Sequence, residues 1–268
     1  MVESAPAVPS PGPVQFEQQA IQLLQLDWER LEALHEKAES GVDVTATSSL
    51  SGDDTATAFN PISHQVALGF AVAADHLTAL RLAIDGPSGG VTAMSMFTLV
   101  RSSIEASCNA LWVLSPAIRD ERVLRSLRLT LEYRRNLYEI QADFGAADTR
   151  FEKVRTRLEE LRDARPGLRG RSLTKLPTQV QRLRDVDQFG EEDFLRPLVL
   201  WRLSSGIAHG NGSVILNLLE RDLVEGAPST YRLTTNSGVL AMFHNAATNL
   251  IAQLLQLRDR RNASVHAS

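Results

Sequence analysis

Three stretches between residues 61 and 144 repeat large apolar residues at alternating steps of four and three. In 61–84 the row is Val66, Phe70, Ala73, Leu77, Leu80 and Ile84; in 91–114 it is Phe97, Val100, Ile104, Cys108 and Leu111. In 115–144 Val123, Leu127, Leu131 and Leu137 continue the device, with Arg122, Arg125 and Arg128 off the seam. A 3.6-residue period puts such residues on one helix face, and three seams in succession demand that helices pack on helices. Asp85-Gly86-Pro87 is a stop for the first helix, and Ser115-Pro116 supplies a cap and first-turn proline for the third. Leu, Ala, Arg and Glu dominate the composition, which favours helix over strand. With 268 residues, 43% hydrophobic and 22% charged, the chain can bury a sizeable core as one domain. The expected fold class is all-α, a multi-helix bundle.

The remaining segments fit around that bundle. Residues 1–13 are Pro/Ser/Ala-rich and read as a disordered tail, as does 263–268. A single helical domain is expected over 14–262. Its first helix, 14–37, carries Ile21, Leu24, Trp28, Leu31 and Leu34 on one stripe, and its last, about 237–261, carries Leu240, Phe243, Leu250, Leu254 and Leu257. Residues 39–58 are rich in Ser, Thr, Asp and Gly and read as a mobile connector. Short helices are expected at 149–162 and 178–184, and Glu191-Glu192-Asp193 suits a helix start. The arm 213–236 is ambiguous: residues 214–216 and 231–235 form either two short strands or an irregular excursion.

Charge and cysteine use exclude several classes. A net charge of −4 argues against a generally basic nucleic-acid coat, yet residues 119–185 hold 17 Lys/Arg against 11 Asp/Glu, a local +6 that leaves −10 elsewhere. That excess is either one basic surface or a solvated helical face. Cys108 stands alone, which excludes an intramolecular disulfide and a multi-cysteine zinc site, and its apolar stripe makes it an inert thiol. The start, MVESAPAVPSPGP, lacks the basic and apolar regions of a signal peptide, and no run of 18–20 apolar residues stands out. A cytoplasmic location without membrane contact is the expectation.

Chemistry concentrates in residues 198–212, LVLWRLSSGIAHGNG. On a helix Leu198, Arg202, Ser205 and His209 form one row. Gly206 weakens the helix near its end, and Gly210 and Gly212 can take the left-handed conformation that terminates it. Arg202 is a permanent cation able to hold a phosphate bidentately, and His209 can exchange a proton with a ribose 2′-hydroxyl or a leaving oxygen near neutral pH. The competing structural role sets His209 against its helix dipole and pairs Arg202 with a core carboxylate.

RLSSGIAHGN resembles the Arg-x4–6-His signature of the HEPN (higher eukaryotes and prokaryotes nucleotide-binding) superfamily, although Leu203 stands where a polar residue is frequent. AADHLTALR, LVRSSIEASCNALWVLSP and ERVLRSLRL look like a group of uncharacterised bacterial helical proteins, a likeness of fold only. The HEPN resemblance implies Arg202 and His209 as catalytic residues, a homodimer, and metal-independent RNA processing or RNA binding in stress or defence, without a cofactor. The alternative is a non-enzymatic helical module that binds a partner protein or a small ligand.

Four residues are candidates for a supporting role. Ser205 lies in the Arg202/His209 row. Arg101 and Glu105 share a row with Phe97, Cys108 and Trp112, and are expected as a partly buried ion pair. His76 lies beside the 61–84 seam with Gly69, Val72 and Ala83, and is expected as a satisfied core histidine. A metal reading of His76, Asp75 and Glu105 lacks the Glu-x-x-His repeat of carboxylate-bridged bundles, so no metal is assigned. Gly-x-Ser-x-Gly and His-Glu-x-x-His motifs are absent.

Overall fold

A computed structural model describes residues 13–40, 43–86, 92–146, 150–190, 195–227 and 229–264. The tail expected over 1–13 lies outside them except for Pro13, as do residues 265–268 and Glu191-Glu192-Asp193. The fold is the expected all-α bundle. In chain order the helices are α1 (Pro13–Ser40), α2 (Ser49–Ala56), α3 (Ile62–Asp85), α4 (Ser95–Leu114), α5 (Arg119–Asp143), α6 (Phe151–Asp163), α7 (Gln179–Asp185), α8 (Pro197–Ala208), α9 (Gly212–Leu218) and α10 (Ser237–Asn262). Strands β1 (Glu220–Leu223) and β2 (Tyr231–Thr234) pair antiparallel as a hairpin before α10.

Helix α4 is the centre, packed on α3, α8 and α10. Its seam residues Phe97, Val100, Ile104, Cys108 and Leu111 are fully buried, and burial pushes the Cys108 thiol far above its ordinary range. Gly69 lets α3 close on α4: a Cβ there would stand 2.7 Å from that of Ala110 and 3.3 Å from the Ala106 carbonyl. Gln65 donates to Ser126 on α5 (2.6 Å), and Arg125 donates to the Trp112 carbonyl at the end of α4 (2.8 Å). The start of α3 therefore lies by the end of α4, and the two helices run antiparallel.

Several boundaries differ from expectation, each for a physical reason. In α1 the buried row is Ala20, Leu24, Trp28 and Leu31, while Ile21 is exposed. The row also includes Asp27, 2% exposed, which meets His244 Nδ1 (3.4 Å) and accepts from Asn245 (2.8 Å) on α10. A polar residue inside an apolar stripe is invisible to periodicity until its partner is known. The expected third-helix start at Ser115-Pro116 is displaced to Arg119, because the carbonyls of 115–117 serve the Arg122 and Arg261 guanidinium groups instead. The arm places one strand as expected, at 231–234, but residues 214–216 belong to α9 and the partner strand is 220–223.

The largest correction concerns 39–58. Residues 49–56 form a helix capped by Ser48, and the approach to it is tied to the end of α10 through Asn262, which accepts from Thr45 N (2.8 Å) and donates to the Asp43 carbonyl (2.9 Å). Asp53 is wholly buried against Arg122, itself 1% exposed. Arg122 Nε and Nη2 donate to the two Asp53 oxygens (2.6 and 2.9 Å), Nη2 also to Ser49 (2.8 Å), and Nη1 to the Pro116 and Ala117 carbonyls (2.8 and 2.9 Å). Every guanidinium donor is satisfied. Arg122 is thus a core strut and not the off-seam surface residue its position suggests.

Helix α3 is long and apolar enough to cross a bilayer by composition, with a mean hydropathy of 1.4 over its most apolar window. Here its row from Val66 to Leu80 is core.

Candidate active site at the end of α8 and a cleft beside it

Helix α8 begins on Pro197 and buries Leu198, Leu200, Ser204 and Ile207. It ends as a Schellman motif: Gly210 N donates to the Ile207 carbonyl (3.1 Å), Asn211 N to that of Gly206 (2.8 Å), and Gly210 takes φ +70°. Gly212, expected as a second left-handed terminator, instead opens α9, which the Asn211 side chain caps. His209 is the C-cap residue of α8, as its sequence position predicts.

The row runs from core to solvent. Leu198 is buried, Ser205 half-buried, and Arg202 and His209 exposed. Neither the Arg202 nor the His209 side chain makes a hydrogen bond or ion pair among the described residues. Among the described residues, the carboxylate partner that a purely structural Arg202 would need is absent. Arg202 and His209 thus present an exposed guanidinium and an exposed imidazole on one helix face, about two turns apart.

Arg101, Glu105 and His76 lie elsewhere, in the wall of a cleft of about 590 Å³ between α3, α4 and α5. His76 is half-buried on that wall, not a core histidine. Arg101 and Glu105 are only partly buried: their side chains are 24% and 35% exposed and meet at 3.5 Å. Their row is covered on one side by α8, whose Trp201 donates to Glu105 Oε2 (3.0 Å) and stands under the Arg101 guanidinium at 5.5 Å. Water reaches the other side, so the several-kcal/mol penalty for stranding a fully buried charge does not apply to this pair. Trp201, the residue before Arg202, joins the cleft wall to α8; among the described residues neither Arg101 nor Glu105 hydrogen-bonds or pairs with Arg202.

Sequence reasoning missed His64, Asn109 and Tyr133, which line the same cleft. A usable signal existed: His64, Leu68, Val72 and His76 are spaced by four along α3, as are Arg101, Glu105 and Asn109 along α4. A second cleft of about 640 Å³, between α1, α3 and α10, is lined by Trp28, His35, Phe70 and Arg81 and holds none of the predicted residues. Arg202, Ser205 and His209 line neither cleft. Among the described residues no three His, Cys, Asp or Glu side chains group as a metal site.

Part of the basic excess of 119–185 is spent inside the molecule, while eleven of its seventeen Lys/Arg are exposed. Besides Arg122, Arg125 pairs with Glu121 and Asp185, Arg165 with Asp120, Arg171 with Glu121, and Arg182 donates to Asn109 and the Pro177 carbonyl. Arg122 and Arg125 brace α5 and Arg182 ties α7 to α4, while the exposed majority is what a solvated helical face would present.

The sequence matches no protein-family model, no curated protein and no solved structure.

Proposed function

We propose that this chain is a metal-independent, HEPN-like RNA-processing or RNA-binding protein of the cytoplasm, acting as a homodimer. The observation that carries the reading is the state of Arg202 and His209: one row, solvent-facing, with no partner among the described residues. In the proposed reaction Arg202 holds the phosphate, and the His209 imidazole takes the 2′-hydroxyl proton as O2′ attacks phosphorus. The 5′ oxygen leaves with a proton, from the imidazolium or from a second copy's histidine. The products are a 2′,3′-cyclic phosphate and a 5′-hydroxyl.

The test incubates purified wild type, His209→Ala and Arg202→Lys with mixed RNA, with and without EDTA. His209→Ala is expected to slow cleavage by about 10²–10⁴ with unchanged circular dichroism, since that is what a positioned proton-transfer group contributes. Arg202→Lys keeps the charge but loses the planar fork, and is expected to fail as well. Wild type that neither cleaves nor retains RNA overturns the proposal, as does equal cleavage by all three proteins.

Support for self-association comes from α5. Its second half runs exposed beyond the core, and Tyr133, Leu137, Ile140 and Phe144 are 51%, 43%, 53% and 86% exposed at steps of four, three and four. That is a coiled-coil seam without a partner. Paired antiparallel with its copy, the seam sets Tyr133 against Phe144 and Leu137 against Ile140, with Arg134 beside Gln141 and Asn136 beside Asp143. Phe144→Asp is expected to halve the mass seen by light scattering. A wild-type chain that is already monomeric at micromolar concentration overturns the assignment.

A further inference from the structure

We infer that the α3–α4–α5 cleft is a binding site for a small amphiphilic carboxylate, an apolar body carrying one planar anionic head. The inference is independent of the Arg202/His209 site. It rests on an unsatisfied guanidinium set at one end of an apolar trough.

The size and lining come first. About 590 Å³ lies within the range of small-molecule sites, and such sites are mostly apolar with a few placed polar groups. The trough here is lined by Val72, Ala106, Ala110, Val113 and Leu129, with Leu68 and Tyr133 exposed at its rim. Its length follows from α3, where His64 and His76 are twelve residues apart, about 18 Å at the helical rise. Because α3 and α4 are antiparallel and meet at Gly69 and Ala106/Ala110, His76 lies at the Arg101 end and His64 at the other.

The head group follows from Arg101. A guanidinium carries five N–H donors. Among the described residues Arg101 has one contact to an acceptor, Nη2 to Glu105 at 3.5 Å, and Glu105 Oε2 already accepts from Trp201 at 3.0 Å. Arg101 Nε is shut from solvent and meets no acceptor among the described residues. The exposed part of the side chain, 24%, stands at the cleft wall, so the Nη edge of the fork is open to an acceptor supplied from outside. A carboxylate matches one edge of the planar fork with two parallel bonds. Glu105 selects for a single negative charge, because a dianionic phosphate monoester would face its carboxylate. His76 adds a donor at the same end, and the apolar trough takes the body.

The experiment titrates decanoate, decyl phosphate and 1-decanol into the intact chain by calorimetry, following the oligomer by light scattering. Decanoate is expected to bind one site per chain, at least about tenfold tighter than either other probe. Arg101→Met, which keeps the apolar stem, should weaken decanoate by about tenfold or more and leave 1-decanol unchanged. Val72→Asp, at a position 39% exposed and so harmless to the core, should abolish both. Equal decanoate affinity in wild type and Arg101→Met overturns the inference, as does tighter binding of decyl phosphate. Binding that proceeds only with dissociation of a dimer reassigns the trough to a second copy of the chain.

Discussion

Asp53→Ala is expected to destabilise the fold by about 3–5 kcal/mol, a large fraction of the total stability of a domain this size. The substitution removes few atoms. Its cost comes from leaving Arg122 charged, 1% exposed and short of the two acceptors that its Nε and Nη2 now meet. Arg119, which also reaches Asp53 (3.1 Å), loses a partner but has solvent as a substitute, its side chain being 42% exposed. Asp53→Asn keeps one acceptor without the charge and should fall between wild type and Asp53→Ala. The double change Asp53→Leu/Arg122→Met should recover part of the loss, because two apolar side chains need no partners. Recovery cannot be complete, since the Ala117 carbonyl and Ser49 would then lose the donor Arg122 gives them, whereas Pro116 keeps Arg261. Urea unfolding of the four proteins measures all of this. An unchanged Asp53→Ala midpoint would mean that α2 is not docked and that 39–58 is the connector its composition suggests.

Phe97→Ala should cost a similar amount, about 3–5 kcal/mol, through a different mechanism. Phe97 is wholly buried in the middle of the core and packs edge-on to Phe243 of α10, centroids 5.3 Å apart at 89°. Truncation leaves a cavity that α3, α4 and α10 can fill only by moving together. The aromatic pair is separable from the burial: a double-mutant cycle with Phe243→Leu and Phe97→Leu should return a coupling of about 0.5–1.5 kcal/mol. Absence of coupling would show that the rings do not meet. A Phe97→Ala midpoint equal to wild type would place the α4 stripe in solvent and undo the bundle itself.

The two experiments probe unlike kinds of legibility. The Phe97 stripe can be read without a structure, because a 4-3 repeat of large apolar residues has one stable outcome, burial against other helices. The Arg122 strut cannot. Arg122 stands one residue from Val123 on the seam, and its partner Asp53 lies 69 residues away in a stretch whose composition reads as loop. Asp27 and His244 repeat the pattern across 217 residues. A buried polar residue carries no periodic signature of its own; only the complementary group shows that it belongs inside.

The candidate sites divide the same way. Spacing alone determined that Leu198, Arg202, Ser205 and His209 share a helical row, and that glycine after His209 ends the helix, because both follow from local backbone geometry. Spacing likewise set the core faces of α3, α4 and α10. Tertiary structure decided that Arg202 and His209 face water with no partner among the described residues, while Arg101, Glu105 and His76 join His64, Asn109 and Tyr133 around a separate cleft. Which flank of a helix is covered depends on where neighbouring helices cross it. For Arg101 and Glu105 that crossing is made by Trp201, 96 residues from Glu105, a distance over which no local pattern extends.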